Sequence, residues 1–311
     1  MPYPIEKKLV VGVSSNVLFN LEEEDSIFQE KGIIEYRKYQ IENKNKPLEA
    51  GISMPFIKRF LHINNVYTDE LPVEVVLLSK NSPETGIRIF NAIKEHNLDI
   101  SRAVFTSGRP PYKYIPAYNV SLFLSTNEDD VKKAIESNFG AGRIIKTNIA
   151  DDYSDMELRV AFDFDGVIAD DQAERVFKQT GNLESFHAHE QDHKEEIHNP
   201  GPLADFFKKL AFFQKLETRK ENEDNTYKKI LTTSIVTARN APSHERAIKT
   251  LQEWGVTVDE MFLLGGIEKS RVLEILKPHL FFDDQIGHLN PNIDNIPMAH
   301  IPFGIANKNE N

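Results

Sequence analysis

Leu158-Arg-Val-Ala-Phe-Asp163-Phe-Asp165-Gly166-Val-Ile-Ala-Asp170 is the stretch on which the reading of this chain turns. An apolar run rich in β-formers stops on two carboxylates one residue apart, and a glycine follows at once. Along an extended strand, side chains i and i+2 point the same way, so Asp163 and Asp165 can converge on one ligand. Gly166 lets the backbone turn away directly after them. Paired carboxylates at the carboxyl end of a buried parallel strand stand where open α/β sheets place their active sites. The chemistry that suits them is magnesium-dependent phosphoryl transfer through a nucleophilic aspartate. A calcium loop would need its glycine later and a glutamate at its twelfth position. A purely structural Asp-x-Asp-Gly turn would leave the downstream pattern unexplained.

Three signals follow in order, each at the end of a predicted strand. Lys229-Ile-Leu-Thr-Thr-Ser-Ile-Val-Thr237-Ala-Arg239 closes on a threonine. Met261-Phe-Leu-Leu-Gly265-Gly266 leads to Lys269 at the start of a helical pattern, and His279-Leu-Phe-Phe-Asp283-Asp284 ends in a second carboxylate pair. Ala247–Trp254 and Ser270–Leu276 carry apolar residues at helical spacing between them. Strand alternating with helix means βαβ units and a parallel sheet. As chemistry, Asp163 is the nucleophile, and Lys269 is a fixed ammonium beside the transferring phosphoryl group. Thr237 donates to a phosphoryl oxygen, while Asp165 serves the leaving alcohol as acid and the hydrolytic water as base. Magnesium falls to Asp163 and Asp283, with Asp165 and Asp284 as the carboxylates beside them.

This ordered set resembles the four motifs of the haloacid dehalogenase-like phosphohydrolases. More narrowly, Val10-Val-Gly-Val-Ser-Ser15, Phe186-His-Ala-His189-Glu190, Gly201-Pro-Leu203, Val236-Thr-Ala-Arg239 and Phe281-Phe-Asp-Asp-Gln285 resemble the cytosolic 5′-nucleotidase type I family. The likeness runs from about Leu9 to about Gly304. It implies a Rossmann-like α/β fold with a cap insertion, a magnesium cofactor, and nucleoside 5′-monophosphates of the AMP kind as substrates. It also allows a nucleotide effector and a homo-oligomer.

Composition agrees with an enzyme of small molecules. With 311 residues, 40% hydrophobic and 27% charged, the chain has ample material for a core. A net charge of −11 argues against a nucleic-acid polymer or an anionic membrane as main partner. The absence of cysteine removes disulfides, thiol catalysis and Cys-ligated zinc together. No signal core or long apolar run is visible, so a cytoplasmic setting is expected.

The first half repeats the second. Val11-Gly-Val-Ser14-Ser-Asn16-Val aligns with Val160-Ala-Phe-Asp163-Phe-Asp165-Gly, about 150 residues on. Val76–Pro83 parallels Ile235–Pro242, Val104–Gly108 parallels Met261–Gly265, and Leu122–Thr126 parallels Leu280–Asp284. Ser14, Asn16, Ser125 and Thr126 replace the four carboxylates, so this copy is expected to be degenerate and without magnesium. Its loop Ser107-Gly-Arg109-Pro-Pro-Tyr-Lys113 gathers a guanidinium, an amine and a ring, and Arg109 and Lys113 are candidate substrate or effector contacts.

The expected division is a unit over residues 1–150, with an insert at about 20–70, and a catalytic unit over 151–311. The latter holds a cap insert at about 171–228, where Phe186, His189 and Glu190 would meet the substrate together with Arg239. Within it, Glu217–Asp224 reads as a solvated loop, and the tail after Gly304 as frayed. Rival functions remain in view. His189-Glu190-Gln-Asp-His193 fits the zinc metallopeptidase pattern His-Glu-x-x-His, although no third ligand stands out. A phosphatase of another small metabolite shares the same motifs, and a non-catalytic nucleotide sensor would not need a nucleophile.

Overall fold

Runs rich in β-branched and aromatic residues supply most of the strands. The computed structural model describes residues 3–289 and 295–307. Its first half contributes β1 (Leu9–Val13), β2 (Val73–Ser79), β3 (Arg102–Phe105), β4 (Val120–Ser125) and β5 (Ala141–Ile145). Its second half contributes β6 (Leu158–Phe162), β7 (Leu231–Thr237), β8 (Glu260–Leu263), β9 (Leu280–Asp283) and β10 (Met298–His300). All ten join one sheet in the order β3-β2-β1-β4-β5-β10-β9-β6-β7-β8. Every pairing is parallel except β5 with β10, which meet antiparallel in the middle. The chain is thus a mixed α/β fold on a mostly parallel sheet. Its central strands β1 and β2 are buried along their whole length, as parallel strands covered on both faces must be.

Helices in the first half are α1 (Ser15–Leu18), α2 (Glu22–Glu42), α3 (Met54–Val66), α4 (Gly86–Glu95) and α5 (Glu128–Glu136). In the second half they are α6 (Gln172–Thr180), α7 (Leu183–Asp192), α8 (Ala204–Glu223), α9 (His244–Glu253) and α10 (Lys269–Leu276). The strand order outward from the centre is the same in both halves. So is the local path: α2 breaks at Gly32 (φ 77°), much as Gly181 (φ 63°) separates α6 from α7. The bridges Phe19↔Ala50 and Ala169↔Pro200 then close each excursion before α3 and α8 begin.

Packing ties the halves into one core. α3 lies on β2 and also on β6, while α8 lies on β7 and also on β1 and β4. Phe206 and Phe207 of α8 pack on Phe162, which stacks on Phe282 at 5.1 Å. The stretch expected as a cap therefore divides: α6 and α7 stand at the carboxyl end of the sheet, whereas α8 belongs to the sheet itself. Glu217–Asp224 is also not a loop. The helix runs on to Glu223, and buried Glu217 accepts from Tyr67 Oη (2.8 Å), Tyr227 Oη (2.7 Å) and the Ile230 amide (2.7 Å). The residues just after Gly304 are fastened rather than frayed: the Ile305 amide donates to Asp171 Oδ2 (2.7 Å).

Candidate active site

Asp163 follows directly on β6, where the ladder still holds it through its amide to Phe282 O at 2.8 Å. Gly166 has a φ of +72°, and a Cβ there would lie 2.5 Å from Asp284 Oδ2. Only glycine lets the turn after Asp163 and the end of β9 approach so closely. Asp283 ends β9, and Lys269 opens α10 with its Nζ 2.7 Å from Asp163 Oδ2 and 2.6 Å from Asp283 Oδ2. The two carboxylates hold the buried ammonium's pKa above its usual range against the cost of burial. Thr237 ends β7, fully buried, and its Oγ1 accepts the Arg239 amide at 3.2 Å. Its own hydroxyl proton is thereby left for an acceptor in the pocket.

Negative charge outweighs positive here. Burial, with Asp163, Glu174 and Asp283 nearby, pushes the Asp284 carboxyl up to about 10, and both of its oxygens are buried without a partner. Burial likewise raises Asp163 to about 7, although Lys269 pulls the other way. The unpartnered buried carboxyl of Asp284, beside Asp163 and Asp283, fits a cation-binding site. Oxygen donors of this kind suit a hard ion such as magnesium. His288 Nδ1, 3.2 Å from Asp283 Oδ2, completes the closest cluster of potential ligands among the described residues.

Asp165 is placed differently from the sequence expectation. Its side chain turns from the Asp163 cluster to Arg239, whose Nε and Nη2 meet Oδ2 at 2.7 Å and Oδ1 at 2.6 Å. Its carboxylate is thus committed to Arg239 and not to the Asp163 cluster. Arg239 in turn bonds Glu190, Ser243 O (2.9 Å) and His198 Nε2 (3.2 Å), so every donor of its guanidinium is committed. Glu190, buried on α7, also accepts Arg246 Nη1 at 2.9 Å. His198 and Arg239 hold the Glu190 carboxyl well below the ordinary range despite its burial.

A cavity of about 440 Å³ opens over Asp163, Asp165 and Thr237, large enough for a small-molecule ligand. Phe186 lines it as expected; Glu190 and His189 do not. Sequence reasoning missed Glu174, Phe177, Leu183, Asn240 and His288 on its walls. The exposure of two large apolar side chains, Phe177 (41%) and Leu183 (52%), marks the pocket mouth. Arg109 and Lys113 are not brought to this site. They follow β3, the far edge strand, seven strand positions from β6, or about 33 Å at the usual spacing. A larger cleft of about 670 Å³ beside Asn16 and Thr126 is lined by Glu22, Asp25, Glu49 and Asp151 with one cation, Lys146, which is paired with Glu22, so acidic groups predominate there. The zinc pattern does not form a site: the His189 and His193 rings stack 4.2 Å apart, and Glu190 is bound to two arginines.

The model of the 5′-nucleotidase family matches residues 1–308. The chain belongs to the 5′-nucleotidase family. Human cytosolic 5′-nucleotidase 1B is 32% identical over 93% of this chain. The match covers 48% of that relative, so this 5′-nucleotidase family member spans about half its length. No solved structure matches the chain. No helix among the described residues is long and apolar enough to cross a membrane.

Proposed function

We propose that this family member is a magnesium-dependent 5′-nucleotidase that hydrolyses nucleoside 5′-monophosphates of the AMP kind through an aspartyl-phosphate. One observation carries the reading: a buried lysine ammonium bridges Asp163 and Asp283 beside the unpartnered carboxyl of Asp284, and Asp163 lines a cavity with aromatic walls. Asp163, Asp283 and Asp284 are the residues that would hold magnesium, which when bound would supply positive charge to the phosphoryl group. An Asp163 oxygen attacks phosphorus, the ester bond to the nucleoside breaks, and Asp165 gives its proton to the departing oxygen. Lys269 and the Thr237 hydroxyl face the equatorial oxygens. Water then displaces the Asp163 oxygen from phosphorus and passes a proton to Asp165, which restores both carboxyl groups. Phe177, Leu183 and Phe186 offer apolar surface to a base. The relative's printed name supports a cytoplasmic setting.

The same reading takes residues 1–150 as a degenerate copy of 151–311, and α6 with α7 as its cap. The repeated strand order and the matching helix breaks and bridges support it. So does the chemistry of the vacated positions. Ser14 Oγ donates to Asn16 Oδ1 at 2.6 Å, so these two groups satisfy each other, and neither Ser14 nor Ser125 carries a charge to hold a cation.

A turnover screen of nucleoside monophosphates and sugar phosphates, with and without magnesium, tests the function. Nucleoside monophosphates should be preferred and Asp163→Asn should lose at least about a thousandfold in kcat. A tenfold preference for sugar phosphates, about 1.4 kcal/mol in transition-state binding, would overturn the substrate class.

A further inference from the structure

Behind Asp165 lies a network with a counterpart in the first half. Arg239 sits two residues past the end of β7; its amide donates to Thr237 Oγ1 (3.2 Å) and its carbonyl accepts the Gly265 amide (3.2 Å). Asn81 sits two residues past the end of β2, and it makes the same two bonds, to Ser79 Oγ (3.1 Å) and from the Ser107 amide (3.1 Å). The backbones are equivalent; the side chains are not. Arg239 forks onto Asp165, whereas the Asn81 amide oxygen accepts the Tyr36 hydroxyl at 3.2 Å.

The anchors correspond too. Arg246 of α9 reaches Glu190 Oε1 (2.9 Å) and Gln172 Oε1 (2.9 Å). Arg88 of α4 reaches Gln40 Oε1 (3.1 Å) and Glu24 Oε1 (2.6 Å). Both arginines are buried, and each ties its excursion helix to the sheet. That structural tie is present in both halves. Where the carboxylate of Asp165 gives way to Asn16, the fork of Arg239 and the charge of Glu190 are missing as well. What differs between the halves is tied to Asp165, not to holding the helix down.

Resting on the phosphohydrolase reading of the site, we infer that Arg239 is a positioning residue for Asp165, itself held in place by Glu190 of α7. The guanidinium is fixed on every side: Phe164 and Phe186 lie 5.2 and 5.6 Å from its carbon, and Glu190, Ser243 and His198 take the donors Asp165 leaves. A two-bond fork on an immobile base fixes the plane of the carboxylate, and each of its oxygens keeps a lone pair for the proton it handles. Because Glu190 belongs to α7, the seating of that helix sets the aim of the acid–base group.

A double-variant cycle on the full chain tests this, with a nucleoside monophosphate and magnesium. Arg239→Lys keeps the charge and loses the fork; kcat should fall about tenfold to a hundredfold with KM within about threefold. Added to Asp165→Asn, it should cost nothing further, because the group it aims is gone. Glu190→Gln, which keeps the side-chain volume, should show a smaller loss with the same non-additivity, and it carries the test should Arg239→Lys fail to fold. Losses that multiply in the double variants, or a rise in KM at unchanged kcat, would overturn the positioning role. An unmodified protein inactive on nucleoside monophosphates and on aryl phosphates alike would instead overturn the function on which it rests.

Discussion

Asp284 shows at the level of one residue how a site can be built ahead of its ligand. Its carboxyl group is buried beside three other acids, and neither oxygen has a partner. An unpartnered buried polar group costs about 1 to 3 kcal/mol, more if charged, and the fold carries that cost at this position. Asp284→Asn should therefore raise the thermal midpoint in EDTA by a few degrees, at about 2 to 4 °C per kcal/mol for chains somewhat smaller than this one. Magnesium should raise the midpoint of the unmodified protein, since it binds the folded state, and should do little for the variant. Thermal melts of both proteins with magnesium and with EDTA decide the matter. An undiminished magnesium response in Asp284→Asn would remove this residue from the cation site.

At the level of elements, the junction between β6 and β9 depends on a neutral histidine. His279, just before β9, accepts the Arg159 amide on Nδ1 at 3.1 Å, and Arg159 Nη2 lies 3.4 Å from its Nε2. Burial, reinforced by the charges of Arg59 and Arg159, depresses its pKa to about 3. The unfolded chain, with an ordinary histidine near 6.5, binds the extra proton first as pH falls. Stability is thus fully present above about pH 6.5 and is lost steadily below it, down towards pH 3. Between pH 7.5 and 5.0 this one group should cost about 2 kcal/mol. Urea unfolding at both pH values, compared with His279→Gln, isolates the effect, because glutamine keeps an acceptor and does not titrate. Equal pH dependence in the two proteins would show that His279 takes up its proton as readily in the fold as in the unfolded chain.

On the scale of the whole molecule, two similar halves share a single sheet. α3 reaches across to β6, and α8 reaches across to β1 and β4, so either half alone would expose the faces that the other covers. Fragments 1–150 and 151–311 expressed separately should therefore lack cooperative unfolding transitions, and recover them only when mixed. Independent, sharp thermal transitions in each fragment would show two self-sufficient domains instead. Within the intact chain, Ser14→Ala and Ser125→Ala should leave turnover within about twofold, since their partners are one another's neighbours and not the substrate.

Much of this was legible in the sequence because it is local. An apolar run ending in Asp163, Thr237 or Asp283 encodes both a strand and the group at its tip, since strand periodicity and strand termini are properties of short segments. Asp163 and Asp283 meet at Lys269 in the fold, and Thr237 lines the same cavity as Asp163. Tertiary packing alone decided the rest. Glu217 looked solvated because its neighbours are charged, yet Tyr67 from the other half joins Tyr227 and the Ile230 amide to bury it. Asp165 looked like a metal ligand because i and i+2 share a side, but Arg239, just past the end of β7, draws its carboxylate away. Arg109 and Lys113 looked ready for a nucleotide, but the sheet runs on through β5 and β10 and sets them at its opposite edge. Periodicity fixes which way a side chain leaves the backbone; only the charges and surfaces that other segments bring determine what it meets.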